Sequence, residues 1–90
     1  MPKISEFFGI KVFMFHQDHP PPHFHARYAE FEATIRIDDG SVLRGRLPPR
    51  ALGLVIEWAA LHRDELSENW RRAEANEILV EIDQIGRAHV

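Results

Sequence analysis

No cysteine occurs among the 90 residues, which excludes disulfide bridges, thiolate zinc sites and thiol nucleophiles. Any metal held by this chain must therefore take histidine and carboxylate ligands. No apolar run approaches the ~20 residues that a membrane-spanning helix needs. The opening Met1 to Phe8 lacks the basic flank, long apolar stretch and small-residue cleavage site of a secretory leader. These features point to a cytoplasmic protein with no membrane partner. Internal repeats are missing, and so are P-loop, dinucleotide-binding and nucleophile-elbow motifs. A large charge excess is missing too, and the net charge of -3 argues against a wholesale nucleic-acid coat. The length leaves room for one core only, because a chain this short buries roughly 60 to 65% of its unfolded surface.

What is present is an ordinary globular composition, 44% hydrophobic and 28% charged, with patterning that predicts an α+β domain over residues 1–84. Gly9 to His16 reads as a strand with two apolar faces, Ile10, Val12 and Met14 on one and Phe13 and Phe15 on the other. Such a strand is central or covered by a partner. His23 to Tyr28 is a second strand, with Phe24, Ala26 and Tyr28 on one face and His23, His25 and Arg27 on the other. Phe31 to Ile37 and Ser41 to Leu47 follow. A three-residue loop with Gly40 in the left-handed conformation pairs Ile35 with Leu43, Ala33 with Gly45, Phe31 with Leu47 and Glu32 with Arg46.

Pro48-Pro49 opens the helical region, because proline is tolerated only in a helix's first turn. Leu52, Val55, Ile56, Ala59, Leu66, Trp70 and Ala73 recur at helical spacing, with Leu54, Trp58 and Leu61 widening the stripe. The stripe pauses near His62-Arg63-Asp64, so one long helix or two consecutive helices fit equally, and His62 reads as a helix-surface residue. Ile78 to Ile82 reads as a last short strand. The expected fold is a small, mainly antiparallel sheet of four to five strands packed on these C-terminal helices. Residues 85–90, Ile-Gly-Arg-Ala-His-Val, match the translation of a sequencing-adapter oligonucleotide. They read as a non-native tail acquired in an assembled environmental sequence.

Chemistry concentrates between His16 and His25. His16, His19, His23 and His25 fall within ten residues, with Asp18 among them, and imidazole is both the commonest metal ligand and the usual proton carrier near neutral pH. His23 and His25, two apart on one strand, leave the same sheet face, away from the helices. Three readings stay open. The set His16, Asp18, His19, His23 and His25 suits a transition metal such as zinc. Alternatively, His23 and His25 act as a base and acid pair of a ribonuclease-like enzyme, metal-independent or metal-assisted. Arg27, Arg36, Arg44 and Arg46 would share their face and bind RNA or a protein partner. A plain interaction domain, with polar surface histidines and the first strand buried against a partner or a second copy, is the third reading.

Charge is unevenly spread. Between His23 and Arg50 there are five arginines against four acids, and between Ala51 and Glu77 six acids against three arginines. The strands are thus mildly basic and the helices acidic.

Met1 to Ile4 with Phe8-Gly9-Ile10, and Asp18-His19-Pro20-Pro21-Pro22-His23-Phe24-His25-Ala26-Arg27-Tyr28 above all, resemble the small bacterial proteins called domain of unknown function 4160. Gly45 to Pro48, Ala51-Leu52, Glu57-Trp58, Leu61 to Leu66 and Asn69-Trp70 extend the resemblance through Ile82. The third proline, and a tail without the proline and leucine that commonly follow the last strand, depart from the usual pattern. The resemblance implies a member of a compact two-gene bacterial module similar to toxin-antitoxin pairs, with a cognate small antitoxin-like protein as partner.

Overall fold

The computed structural model describes residues 2–85. The sheet is formed by β1 (Lys3–Phe7), β2 (Ile10–Phe13), β3 (His23–Tyr28), β4 (Phe31–Arg36) and β5 (Val42–Arg46), and is followed by helices α1 (Pro49–Leu61) and α2 (Arg63–Glu74). The five strands form one antiparallel meander in the order β1-β2-β3-β4-β5. This is the expected α+β architecture, with two consecutive helices rather than one. No helix is long and apolar enough to cross a membrane among the described residues.

Local chemistry explains the short connections. Phe8 and Gly9 join β1 to β2 with positive φ at both positions, the backbone that two-residue hairpin loops favour. Pro49 starts α1 at a position where its missing N–H costs nothing. The helices part at His62, whose φ of -119° is not helical and whose N–H is shared between the Trp58 and Ala59 carbonyls. Asp64 and Glu65 in the first turn of α2 and Arg71 and Arg72 in its last turn oppose the helix dipole.

The helices cover the face of Ile10, Val12, Phe24, Ala26, Ala33 and Ile35, all at most 1% exposed. Trp58 lies at the centre, its ring centroid 5.3 Å from that of Phe7 and 5.9 Å from that of Phe24. Its indole N–H donates to the Asp83 carbonyl at 2.7 Å. Full burial of a side chain such as Phe24 contributes about 1.5 to 3 kcal/mol.

Several sequence expectations are corrected. Lys3–Phe7 is a strand that the pattern did not reveal, because a register shift between Lys3 and Ser5 breaks its alternation and buries Ile4 and Ser5 together. It flanks β2, so that strand has a paired neighbour on each edge, β1 on one and β3 on the other. Ile78 to Ile82 is not a strand. The buried Asn69 side chain takes both backbone groups of Val80, donating to its carbonyl and accepting from its N–H at 2.8 Å each, so a side-chain amide stands where a strand neighbour would. Ile82 alone donates to Ile4, at 2.8 Å.

The β4–β5 loop is longer than expected. Arg36 N–H donates to the Ser41 carbonyl at 2.9 Å, and Ile35 opposes Val42 rather than Leu43. Leu43 is the extra residue of a bulge, beyond which Ala33–Gly45 and Glu32–Arg46 pair as read from the sequence. Gly40 has the expected positive φ. Gly45 also has positive φ, and a β-carbon there would collide with the Glu32 carbonyl oxygen. All five residues of β5 are exposed at the sheet edge.

His62 is buried against Trp58 and bonded to Glu65, not on the surface, because the helix break turns it inward. Ile56 and Leu61 are exposed and fall outside the packed stripe. Ile85 packs against the core, and residues 86–90 of the suspected tail lie outside the described residues.

Candidate functional site

The pairing of β3 with its neighbours sets the site. His23 lies opposite Arg36, His25 between Phe13 and Thr34, and Arg27 between Lys11 and Glu32. Thr34 and Glu32 in turn oppose Arg44 and Arg46, so one sheet face carries both histidines and all four arginines. The Gln17–Pro22 segment folds back over the end of this face. Gln17, with positive φ, donates its N–H to the Ala73 carbonyl at 3.1 Å, and Ile37 N–H donates to the Pro22 carbonyl at 3.0 Å. The Pro20–Pro21 peptide is cis.

This fold-back brings Asp18 onto the two strand histidines. Asp18 Oδ2 lies 2.9 Å from His23 Nε2 and 3.4 Å from His25 Nε2, while Oδ1 accepts the His19 backbone N–H at 2.9 Å. The ring centroids of His23 and His25 are 5.2 Å apart at an interplanar angle of 82°, so the rings present their Nε2 atoms to one point from different directions.

Each ring is held from behind. His23 Nδ1 is 2.7 Å from the Pro21 carbonyl, and His25 Nδ1 is 3.4 Å from Thr34 Oγ1. Trp70 packs on His23 with centroids 5.0 Å apart, and Phe15 meets His25 edge-on at 4.7 Å. The side chains of Asp18, His23 and His25 are 20%, 8% and 16% exposed. The expected solvated histidine face is thus corrected: the Asp18–Pro22 segment and Trp70 enclose both rings at the sheet end.

The protonation logic follows from the Pro21 carbonyl, which can only accept. His23 Nδ1 must therefore donate to it. The neutral ring then turns a lone pair on Nε2 toward an Asp18 oxygen that is itself an acceptor. A cation resolves that conflict, either a second proton on the ring or a metal ion between the two atoms. Burial opposes ionisation of Asp18, but the bonds from His23, the His19 amide and His25 outweigh it and hold the carboxyl below the ordinary carboxylate range.

Among the described residues Asp18, His23 and His25 form the group able to converge on a metal ion, their ligand atoms within 4.8 Å of one another. His16 and His19 do not join it. His16 Nε2 lies 2.8 Å from the Glu77 carbonyl, a contact in which it must donate. The His19 side chain is 93% exposed, its Nε2 3.9 Å from Asp18 Oδ1.

The arginines divide by partner. Arg27 bonds Glu32 and stacks on Phe13, with its guanidinium carbon 5.2 Å from the ring centroid. Arg36 pairs with Asp38, and Arg46 lies over Phe31. Arg44 is exposed and, with Leu43, lines a cleft of about 260 Å³ whose floor is Asp18, His23, His25 and Thr34 and whose rim includes His19 and Pro20-Pro21. Sequence reasoning missed Thr34 and the Pro21 carbonyl. The two-residue spacing between Tyr28 and Phe31 was the signal for the former, since it sets His25 opposite Thr34.

No curated protein matches the chain, and no solved structure does. A family model described as a domain of unknown function (DUF4160) matches residues 9–71, a span that takes in the whole His16–His25 segment together with β3 to β5. With well over half of its length matched, this chain belongs to the DUF4160 family.

Proposed function

We propose that this protein is a transition-metal-binding module whose protein ligands are Asp18 Oδ2, His23 Nε2 and His25 Nε2. The observation that carries the reading is the disposition of His23: Nδ1 is committed to a backbone carbonyl and Nε2 faces a carboxylate oxygen at 2.9 Å. Metal-binding histidines are ordinarily fixed this way, the far nitrogen tied to a carbonyl so that the near one offers its lone pair. Thr34 Oγ1 stands behind His25 in the same sense. Two imidazoles and one carboxylate suit zinc, and also nickel or copper. Three protein ligands leave a further coordination position for a water or a ligand molecule, as in catalytic rather than purely structural zinc sites.

Elemental analysis of protein purified without a histidine tag tests this. One transition-metal ion per chain is expected, falling to background in His23→Ala and His25→Ala. A content near zero in the wild type after zinc, nickel and copper supplementation would sink the proposal.

A second reading has its own observation. Arg44 and Arg46 are exposed on the face that carries the histidines, and neither enters an ion pair among the described residues. On this reading the face is the RNA- or protein-contacting surface of a toxin-antitoxin type module. If His23 and His25 cleave RNA as base and acid, the double alanine variant loses cleavage; unchanged cleavage removes that role.

A further inference from the structure

We infer that the ligand taken up from the cleft above Asp18, His23 and His25 is a phosphoryl oxyanion, bound jointly by the metal and by the Arg44 guanidinium. This rests on the metal reading and adds to it the chemical class of what the metal meets.

Three observations support it. First, Asp18, His23 and His25 form part of the lining of an open cleft of about 260 Å³. That volume is too large for a water alone and fits a phosphate group with a small substituent.

Second, charge in the cleft is unbalanced toward positive. Asp18 is its one acidic lining residue, so a divalent ion beside it keeps net positive charge, and Arg44 adds more. Arg27 and Arg36, on the same face, are paired with Glu32 and Asp38, whereas Arg44 has no carboxylate partner among the described residues. A planar guanidinium with its donors free is the side chain best matched to phosphate oxygens, through paired N–H···O bonds.

Third, the backbone delivers Arg44 to this place. Beyond the bulge at Leu43, Arg44 falls directly opposite Thr34, which itself lies opposite His25. Arg44 is thereby set across a single strand from a proposed metal ligand. The remaining polar groups of the lining, Thr34 Oγ1 and the exposed His19 ring, are able to donate hydrogen bonds and so suit an anion's oxygens.

Phosphoryl oxygens come from two sources, a free phosphate or phosphate monoester and the phosphodiester of a nucleic-acid strand. The test uses protein loaded with cobalt(II), whose visible d–d bands respond to a change of ligand, and titrates it with inorganic phosphate and, separately, with a dinucleoside monophosphate. A saturable band shift is expected. Arg44→Ala should bind the same one cobalt ion per chain and weaken the phosphate titration about tenfold, with Arg44→Lys intermediate. Tighter response to phosphate identifies the monoester class, and tighter response to the dinucleotide identifies the nucleic-acid backbone.

Bands that ignore both titrants in a protein holding one cobalt ion would overturn the inference and leave the metal reading standing. Equal titrations in wild type and Arg44→Ala would remove Arg44 and with it the joint site. Failure to bind cobalt at all would overturn both readings together.

Discussion

Replacing Asp18 by asparagine should have a small consequence without metal and a large one with it, and both follow from the contacts of its carboxylate. Asparagine has the same shape. Its oxygen can keep the bond from the His19 amide, while its NH₂ takes the place of Oδ2, 2.9 Å from His23 Nε2. At about pH 8, His23 Nδ1 donates to the Pro21 carbonyl, and a ring without a second proton offers a lone pair at Nε2. The asparagine NH₂ donates to that lone pair, turning two opposed acceptors into a hydrogen bond worth about 0.5 to 1.5 kcal/mol. Against that gain stands the loss of the ionised Asp18 carboxylate, which is held below its ordinary range in the fold and therefore stabilises it at this pH, so the metal-free variant should melt within a few degrees of the metal-free wild type.

With zinc present at about a hundred times its Kd, linkage stabilises the wild type by about 2.7 kcal/mol. For a domain of this size, that raises Tm by roughly 10 to 20 °C. The variant, lacking the anionic ligand, should show a small fraction of this rise. Calorimetric melting of both proteins in chelator and in zinc gives all four values. A wild-type Tm indifferent to zinc, or an Asp18→Asn variant with the full wild-type shift, would refute the reasoning.

His16→Ala and His19→Ala should each retain one metal ion per chain with affinity changed less than about threefold, because neither ring joins the converging group; competition against a chelating dye measures this. Gly45→Ala should cost about 2 kcal/mol or more in urea unfolding, since positive φ and a collision with the Glu32 carbonyl act together. Gly40→Ala, with the same sign of φ but only ordinary contact with Ile56, should cost about half as much, and equal losses would contradict the steric account. Asn69→Ala should destabilise by about 1 to 3 kcal/mol and raise amide exchange at Val80 and Ile82, because it releases both bonds to Val80. Unaltered exchange at those amides would show that the segment is held by other means.

The parts of this molecule legible in its sequence are those governed by short-range periodicity. Alternation in His23–Tyr28 gave the strand, its two faces and the shared direction of His23 and His25. Pairing Glu32 with Arg46 put the arginines beside them. Features that depend on where a distant segment comes to rest were not legible. Asp18 stood out merely as one acid among histidines, and nothing local says that the chain folds back so that its carboxylate meets Nε2 of both rings while His16 turns to Glu77. Trp70 reads as a core residue of a helix, which it is, but its contact with His23 closes the sheet end that alternation alone left open. Lys3–Phe7 escaped because a register shift spoils its period, and Ile78–Ile82 misled because its alternating residues are tied down by one asparagine rather than by a ladder.

The exposure of β5 bears on how copies of this protein coexist in a crowded solution. An unshielded strand margin invites further strands to add, the first step toward fibrous aggregates. Here that invitation is withdrawn by the same residues that shape the cleft. The bulge at Leu43 and the positive φ of Gly45 warp the margin, and Arg44 and Arg46 give any second copy aligned against it a repelling guanidinium. Edge-to-edge stacking of copies along this margin is thereby disfavoured.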